Sequence, residues 1–400
     1  MKYNFDQMIN RHGTVSMKWD AGQIMKEWGL TERFDEDTLP LMTADMDFRC
    51  AQPIIDAMEK VVQHGIFGYS TPYASGEYAT AVQRWFRERH GWEIPSDAIV
   101  CGNGVLETLT LAIRAYTKPG DGIMLTRPVY GPFTEIIEDE KRKVVNSQLS
   151  CTNGYYIMDF DDIEEKAKDP SVTMFLLCSP HNPVGRVWKE EELRRLAEIC
   201  EKNGLLLVSD EIHCDILRKE ISFTTAGKIG SPSNTIVLSA ISKTFNCAGL
   251  QCSQVIIADP GLRAKYEQES GAYALTPFAI AATIGAYTQG DEWLDQLLEY
   301  MDETIDWVLQ FIQKNLPGVS VWRPEGTYIL WMDFRGTGLS PEEIHDRIYH
   351  KANVCLEPGE FFDPEQGKGF ERICLPSPRP MIQEAFRRIA EQFQDIRSTN

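Results

Sequence analysis

One lysine of this chain stands in a setting that gives it chemistry. In Ser239-Ala-Ile-Ser-Lys243-Thr-Phe-Asn246-Cys-Ala-Gly249-Leu it lies between an apolar run, Thr235 to Leu238, and a small-residue segment containing glycine. An ammonium drawn into such surroundings loses hydration, so its pKa falls and the neutral amine becomes useful as nucleophile and base. That is the state Schiff-base chemistry with an aldehyde requires. An arbitrary lysine is a solvated surface charge, so the reading depends on what else the chain supplies.

Four further segments supply the rest. Gly102-Asn-Gly104-Val105-Leu106 joins an apolar strand to a helical pattern. Glycines let backbone approach an anion, and a helix N-terminus offers unpaired N–H groups, which suits a phosphate; the same tripeptide is also an ordinary turn. Ser179-Pro-His-Asn182-Pro-Val-Gly185 follows Phe175-Leu-Leu-Cys178. A proline-rich turn explains Pro183 and Gly185, but not an amide side chain at the strand exit, where Asn182 can donate to a hydroxyl. Ser209-Asp210-Glu-Ile-His213 closes Leu205-Leu-Leu-Val208. A carboxylate at the end of a buried strand needs a partner. From spacing alone Asp210 is either a helix N-cap or the counter-charge of a protonated ring nitrogen. His213 reads as a satisfied structural histidine. Lastly, Phe370-Glu-Arg372-Ile-Cys-Leu375 sets an arginine, whose fork fits a carboxylate, in an apolar strand.

Ligands of open α/β sheets collect at the carboxyl ends of strands, so these segments demand strands before them. Short apolar runs occur at Ala98–Cys101, Gly122–Thr126, Thr173–Cys178, Leu205–Val208, Ile236–Leu238 and Gln254–Ala258. Helical spacing is expected over 105–116, 190–203 and 260–288. The alternation predicts an α/β fold whose mostly parallel sheet is covered on both faces. Beyond about residue 290 the pattern changes. A long amphipathic helix over 292–315 precedes strands at 319–322 and 328–333, a helix after Ser340-Pro341, strands near 354–356 and 373–375, and a last helix from Pro380. This predicts a smaller α+β domain. The expected division is an N-terminal segment, 1–49, packed with the small domain, a large domain over 50–290, and the small domain over 291–400.

Composition excludes several functions. Net charge is −19 over 400 residues, unsuited to nucleic acid or an anionic membrane. The ten cysteines are scattered singly with no CxxC pair, which removes zinc-ribbon and thioredoxin-like readings and fits a reducing cytoplasm. No run reaches the roughly 18 apolar residues of a membrane span.

Asn182-Pro-x-Gly185, Asp210-Glu-x-His213, Ser242-Lys243-Thr-Phe and Arg372, in this order, resemble a pyridoxal 5′-phosphate (PLP) enzyme of the aminotransferase fold, fold type I. Ala44-Asp-Met-Asp-Phe48, Phe67-Gly-Tyr69, Ser209-Asp-Glu-Ile-His213 and Ser242-Lys-Thr-Phe-Asn-Cys-Ala-Gly-Leu-Gln251 are similar to the MalY/PatB-like cystathionine β-lyase branch. The resemblance implies that Lys243 holds the cofactor aldehyde, Asp210 pairs with the pyridine nitrogen, Asn182 bonds O3′ and Tyr130 stacks on the ring, with His213 also beside the cofactor. It implies that Gly104, Val105 and Leu106 cradle the phosphate, with Ser242 a hydroxyl donor, and that Arg372 takes the substrate α-carboxylate. Tyr69 would reach the neighbouring subunit's phosphate in a homodimer. Many aminotransferases carry a tyrosine where this chain has His213 and an arginine where it has Gln251. Both departures are shared by the C–S lyases, and so the resemblance implies α,β-elimination on a cystathionine- or cysteine-type amino acid. The alternatives are transamination by the same groups, or a binding protein that kept the fold without the chemistry.

Overall fold

The computed structural model describes residues 2–271 and 275–396. Seven strands form the central sheet: β1 (Ile99–Gly102), β2 (Gly122–Leu125), β3 (Lys143–Asn146), β4 (Val172–Cys178), β5 (Leu206–Asp210), β6 (Thr235–Ser239) and β7 (Ser253–Ile256). Their order is β1-β7-β6-β5-β4-β2-β3. β3, β2, β4, β5 and β6 are mutually parallel, whereas β7 runs antiparallel to both its neighbours. The mostly parallel sheet expected from the apolar runs is therefore present, with one reversed strand inside it.

Burial explains the runs. Met174 and Leu176 pack into one apolar cluster, with Leu109, Ile113 and Val208, while Phe175 and Leu177 enter another, with Leu193 and Leu207. Side chains alternate between faces along a strand, and here both faces meet apolar partners, so no polar alternation marks these strands. The register sets Cys178 opposite Asp210, and Asp210 opposite Leu238. Three strand exits thus lie at one level, as a shared site requires.

Four antiparallel strands form the second sheet: β8 (Ser320–Val321), β9 (Ile329–Asp333), β10 (Glu357–Pro358) and β11 (Phe370–Cys374), in the order β8-β9-β11-β10. The long helix Asp291–Asn315 buries Trp293, Leu297, Met301, Ile305, Val308 and Ile312 at three- and four-residue steps, one stripe facing the core. The N-terminal segment is tied in here: Leu39–Pro40 pairs in parallel with Val354–Cys355, and Leu41 O accepts from Cys374 N at 2.8 Å.

Several expected elements differ. The single helix over 260–288 is two, Pro260–Ser270 and Pro277–Gln289. Gly271 at φ +67° stops the first, and Thr276 caps the second by accepting from Ala279 N at 3.1 Å, with proline at its first position. The strand expected at 319–322 is reduced to Ser320–Val321. That expected near 354–356 divides, Val354–Cys355 going to the N-terminal pair and Glu357–Pro358 to β11. Among the described residues no helix is long and apolar enough to cross a membrane.

Candidate active site

β6 ends at Ser239, and one helical turn, Ile241–Thr244, carries Lys243. Its Nζ donates to the carbonyl of Ala44 at 2.9 Å, in the Ala44–Phe48 segment that the sequence singled out. The lysine pKa is lowered, chiefly by burial, with the positive charge of Arg372 adding to it. The segment is pinned from the lysine loop. Asn246 Oδ1 accepts from Met46 N at 3.0 Å, and its Nδ2 donates to Met46 O at 2.9 Å and Phe48 O at 3.2 Å. Beneath the lysine, Thr244 Oγ1 donates to Asp215 at 2.8 Å, and Asp215 also accepts from Trp85 Nε1 and contacts His90 Nε2 at 2.8 Å. This buried network fixes the turn that aims the lysine.

Asp210, the last residue of β5, is buried, and among the described residues its side chain accepts only from Ile212 N, at 3.1 Å. No helix follows, so its role as a helix N-cap is excluded; the bond closes a turn. No cation pairs with it among the described residues, and burial pushes its pKa up to about 7 against the pull of Lys243. A carboxyl so placed fits a protonated ring nitrogen.

The protein alone therefore has a testable pH dependence. A carboxyl with its folded pKa raised above the unfolded value favours folding fully below the unfolded pKa, and loses that contribution as pH rises through the folded one. The rise to about 7 amounts to at most about 4 kcal/mol across that window. In thermal melts of cofactor-free protein, wild type is expected to lose more stability between about pH 5 and pH 8 than Asp210→Asn. Saturating PLP, which supplies the cation, is expected to narrow the difference.

Asn182 lies just past β4, 4% exposed, and its Oδ1 accepts from Arg372 Nη1 at 3.2 Å. Arg372 lies within β11, an inner strand of the second sheet, 1% exposed. Its Nη2 pairs with Glu357, its register partner on β10, and its guanidinium lies 4.7 Å from the Phe362 ring. Burial works against its charge, but Glu357 outweighs it and the pKa is raised. Nε remains buried without a partner among the described residues, a donor that an incoming carboxylate could engage.

Tyr130 precedes the helix Gly131–Asp139 and lies in the fields of Arg372, Glu357 and Asp210, with burial pushing its pKa up to about 12. His213 is not the satisfied histidine expected: its Nδ1 is buried with no partner among the described residues. Its ring meets Tyr328 edge-on at 5.7 Å, and burial, with Lys243 and Arg372 nearby, holds its pKa well below the usual value.

At the far side of the sheet, Gly104 (φ +98°) leads into the helix Val105–Tyr116, which has no side-chain cap. A Cβ on Gly104 would meet nothing within 4 Å, so there is open space beside the start of this helix. This is a cradle of the kind that holds phosphate. Ser242 is 8% exposed and its hydroxyl has no hydrogen bond among the described residues. Tyr69 stands apart from these groups, fully exposed at 106%.

The unpartnered Arg372 Nε and His213 Nδ1, the unpaired Asp210 and the open glycine cradle fit PLP and an amino-acid substrate. Sequence reasoning missed Glu357 and Tyr328. Tyr328 donates to Ala44 O at 3.3 Å, the oxygen that also receives Lys243. Glu357 follows the apolar Val354-Cys-Leu356, the same carboxylate-after-strand signal that marked Asp210.

The pattern describing aminotransferase class I and II matches residues 36–389. The chain is 39% identical to cystathionine beta-lyase PatB of Bacillus subtilis, over 96% of this chain and 98% of that one. Among solved structures it is similar to cystalysin of Treponema denticola, which contains pyridoxal 5′-phosphate, with TM-score 0.93, 34% identity and coverage of 99% and 100%. It is also similar to a PLP-bound putative aminotransferase of Clostridium difficile, with TM-score 0.92, 38% identity and coverage of 98% and 100%.

Proposed function

We propose that this chain, which belongs to the class I and II aminotransferase family, is a PLP-dependent carbon–sulfur β-lyase. It cleaves an L-cystathionine- or L-cysteine-type amino acid into a thiol, pyruvate and ammonia. The observation that carries this reading is the near-full-length similarity to a cystathionine beta-lyase at 39% identity, joined to a site whose vacant donors match both cofactor and amino acid.

When bound, PLP supplies an aldehyde for the substrate amine and a ring that accepts electron density from the α-carbon. The chain does the rest. Lys243 would hold the cofactor and, once freed, take the proton from the substrate Cα as a base of lowered pKa. Asp210 would keep the ring nitrogen protonated, and Asn182 would donate its amide N–H to the ring hydroxyl. Tyr130 would stack on the ring, with His213 beside it as a neutral group. Val105 and Leu106 N–H, beyond Gly104, would hold the phosphate with Ser242. Arg372 would bind the α-carboxylate, orienting Cα–H towards Lys243.

The site is completed by a second copy of the chain. Val62, Ile66, Phe67, Tyr69 and Tyr73 form an exposed apolar stretch at 57–106% exposure, and Tyr69 would serve the other chain's phosphate. Ile66→Asp is expected to shift the protein from dimer to monomer in sedimentation and to weaken PLP binding; an unchanged dimer would remove this assignment. The proposed division is a large cofactor domain over 50–290 and a small domain over 291–400 joined by 1–49. The ten free cysteines support a cytoplasmic location.

An assay of pyruvate and ammonia from cystathionine, cysteine, cystine and serine tests the substrate class. Equimolar products are expected from the sulfur amino acids, with serine, whose β-substituent leaves poorly, far slower. Serine turning over fastest would refute the C–S assignment.

A further inference from the structure

We propose that Cys50 and Cys247 are a reactive thiol pair that takes a low-molecular-weight disulfide as reactant and closes into an intrachain disulfide beside the lysine loop. Their sulfurs lie 4.0 Å apart, although the residues are 197 positions apart in sequence. Both converge on one peptide carbonyl: Phe245 O is 3.4 Å from the Cys50 sulfur and 3.3 Å from that of Cys247. A disulfide bond is about 2.05 Å long, so closure asks for an approach of roughly 2 Å between two loop segments.

The pair is asymmetric in the way such chemistry needs. Cys50 is half-buried and reachable, whereas Cys247 is 4% exposed. The contact between the two sulfurs, in which either can be the donor, lowers the Cys50 pKa, whereas Cys247 is raised well above the usual range by that contact and by burial. Cys50 is thus the attacking thiolate. It displaces one sulfur of R–S–S–R, forming a mixed disulfide and releasing RS⁻. Cys247 then gives up its proton and attacks the Cys50 sulfur, and the second RS⁻ leaves and takes that proton. Two protein thiols are oxidised, the small disulfide is reduced to two thiols, and no other oxidant is needed.

The bond would fasten the chain just beyond Ala44–Phe48 to the residue after Asn246, which already holds that segment through three hydrogen bonds. The segment carrying the Ala44 carbonyl would then be locked onto the lysine loop.

Holoenzyme incubated with bis(2-hydroxyethyl) disulfide, which has no amino group to enter the amino-acid chemistry, provides the test. Non-reducing peptide mass spectrometry of wild type should find Cys50 joined to Cys247 with loss of two hydrogens, reversed by dithiothreitol. Cys247→Ser should stop at a mixed disulfide on Cys50, and Cys50→Ser should leave Cys247 unmodified. The visible absorbance of bound PLP verifies that each variant is folded. Wild type that stops at the mixed disulfide, or that reacts only at the exposed Cys151, would overturn the proposal.

Discussion

Lys243→Ala is expected to lower pyruvate release by at least three orders of magnitude while the protein remains folded. The ε-amine is asked to do two things, to hold the aldehyde and to move the α-proton. General-base catalysis alone is worth roughly 10²–10⁴ in rate, and the loss of covalent capture adds to it. The fold should tolerate the change. The ammonium makes one hydrogen bond, to Ala44 O, and the turn around it is held independently by Thr244, Asp215 and His90. Removing an amine whose charge is disfavoured by burial costs little stability. The checks are steady-state pyruvate release and the visible absorbance of the lysine-bound cofactor, both of which should vanish while the melting temperature stays near wild type. Turnover within tenfold of wild type would remove Lys243 from the mechanism.

Arg372→Lys is expected to cost the second-largest effect, and to show it mainly in KM. The lysine keeps a positive charge beside Glu357 but loses the planar fork and the vacant Nε edge. Losing a buried, charge-assisted contact typically costs about 2–5 kcal/mol, which is roughly thirtyfold to several-thousandfold in kcat/KM. Arg372→Ala is the poorer test. It strands Glu357 with no counter-charge, and breaking a buried pair destabilises by about 3–5 kcal/mol, so lost folding would mimic lost binding. A control separates the readings: an amine inhibitor lacking the carboxylate should bind Arg372→Lys and wild type alike. If its affinity falls as far as that of substrate, the arginine acts on the scaffold rather than on the carboxylate.

Local signals revealed the large-domain half of the site well. Asp210 ends a buried apolar strand, Asn182 and Lys243 each closely follow one, and such strands are short-range patterns. Gly104 stood out because a glycine at a helix start lets backbone approach an anion closely. What stayed hidden depends on long-range register. Glu357 meets Arg372 only because β10 and β11 align them. The Ala44 carbonyl reaches Lys243 across 199 residues, through a clamp whose one conspicuous residue, Asn246, also adopts positive φ. His213 was misjudged because its burial was legible and its missing partner was not. The helix expected over 260–288 divides because Gly271 ends the first part and Thr276-Pro277 opens the second.

The central claim is elimination rather than amino transfer, and one incubation separates them. Purified PLP-loaded enzyme is mixed with excess L-cystathionine and no 2-oxo acid, and pyruvate is measured against enzyme concentration. A lyase releases many equivalents of pyruvate per active site, with thiol and ammonia in equal amount. At most one equivalent of amino group retained by the enzyme, with turnover only after a 2-oxo acid is added, would contradict the account.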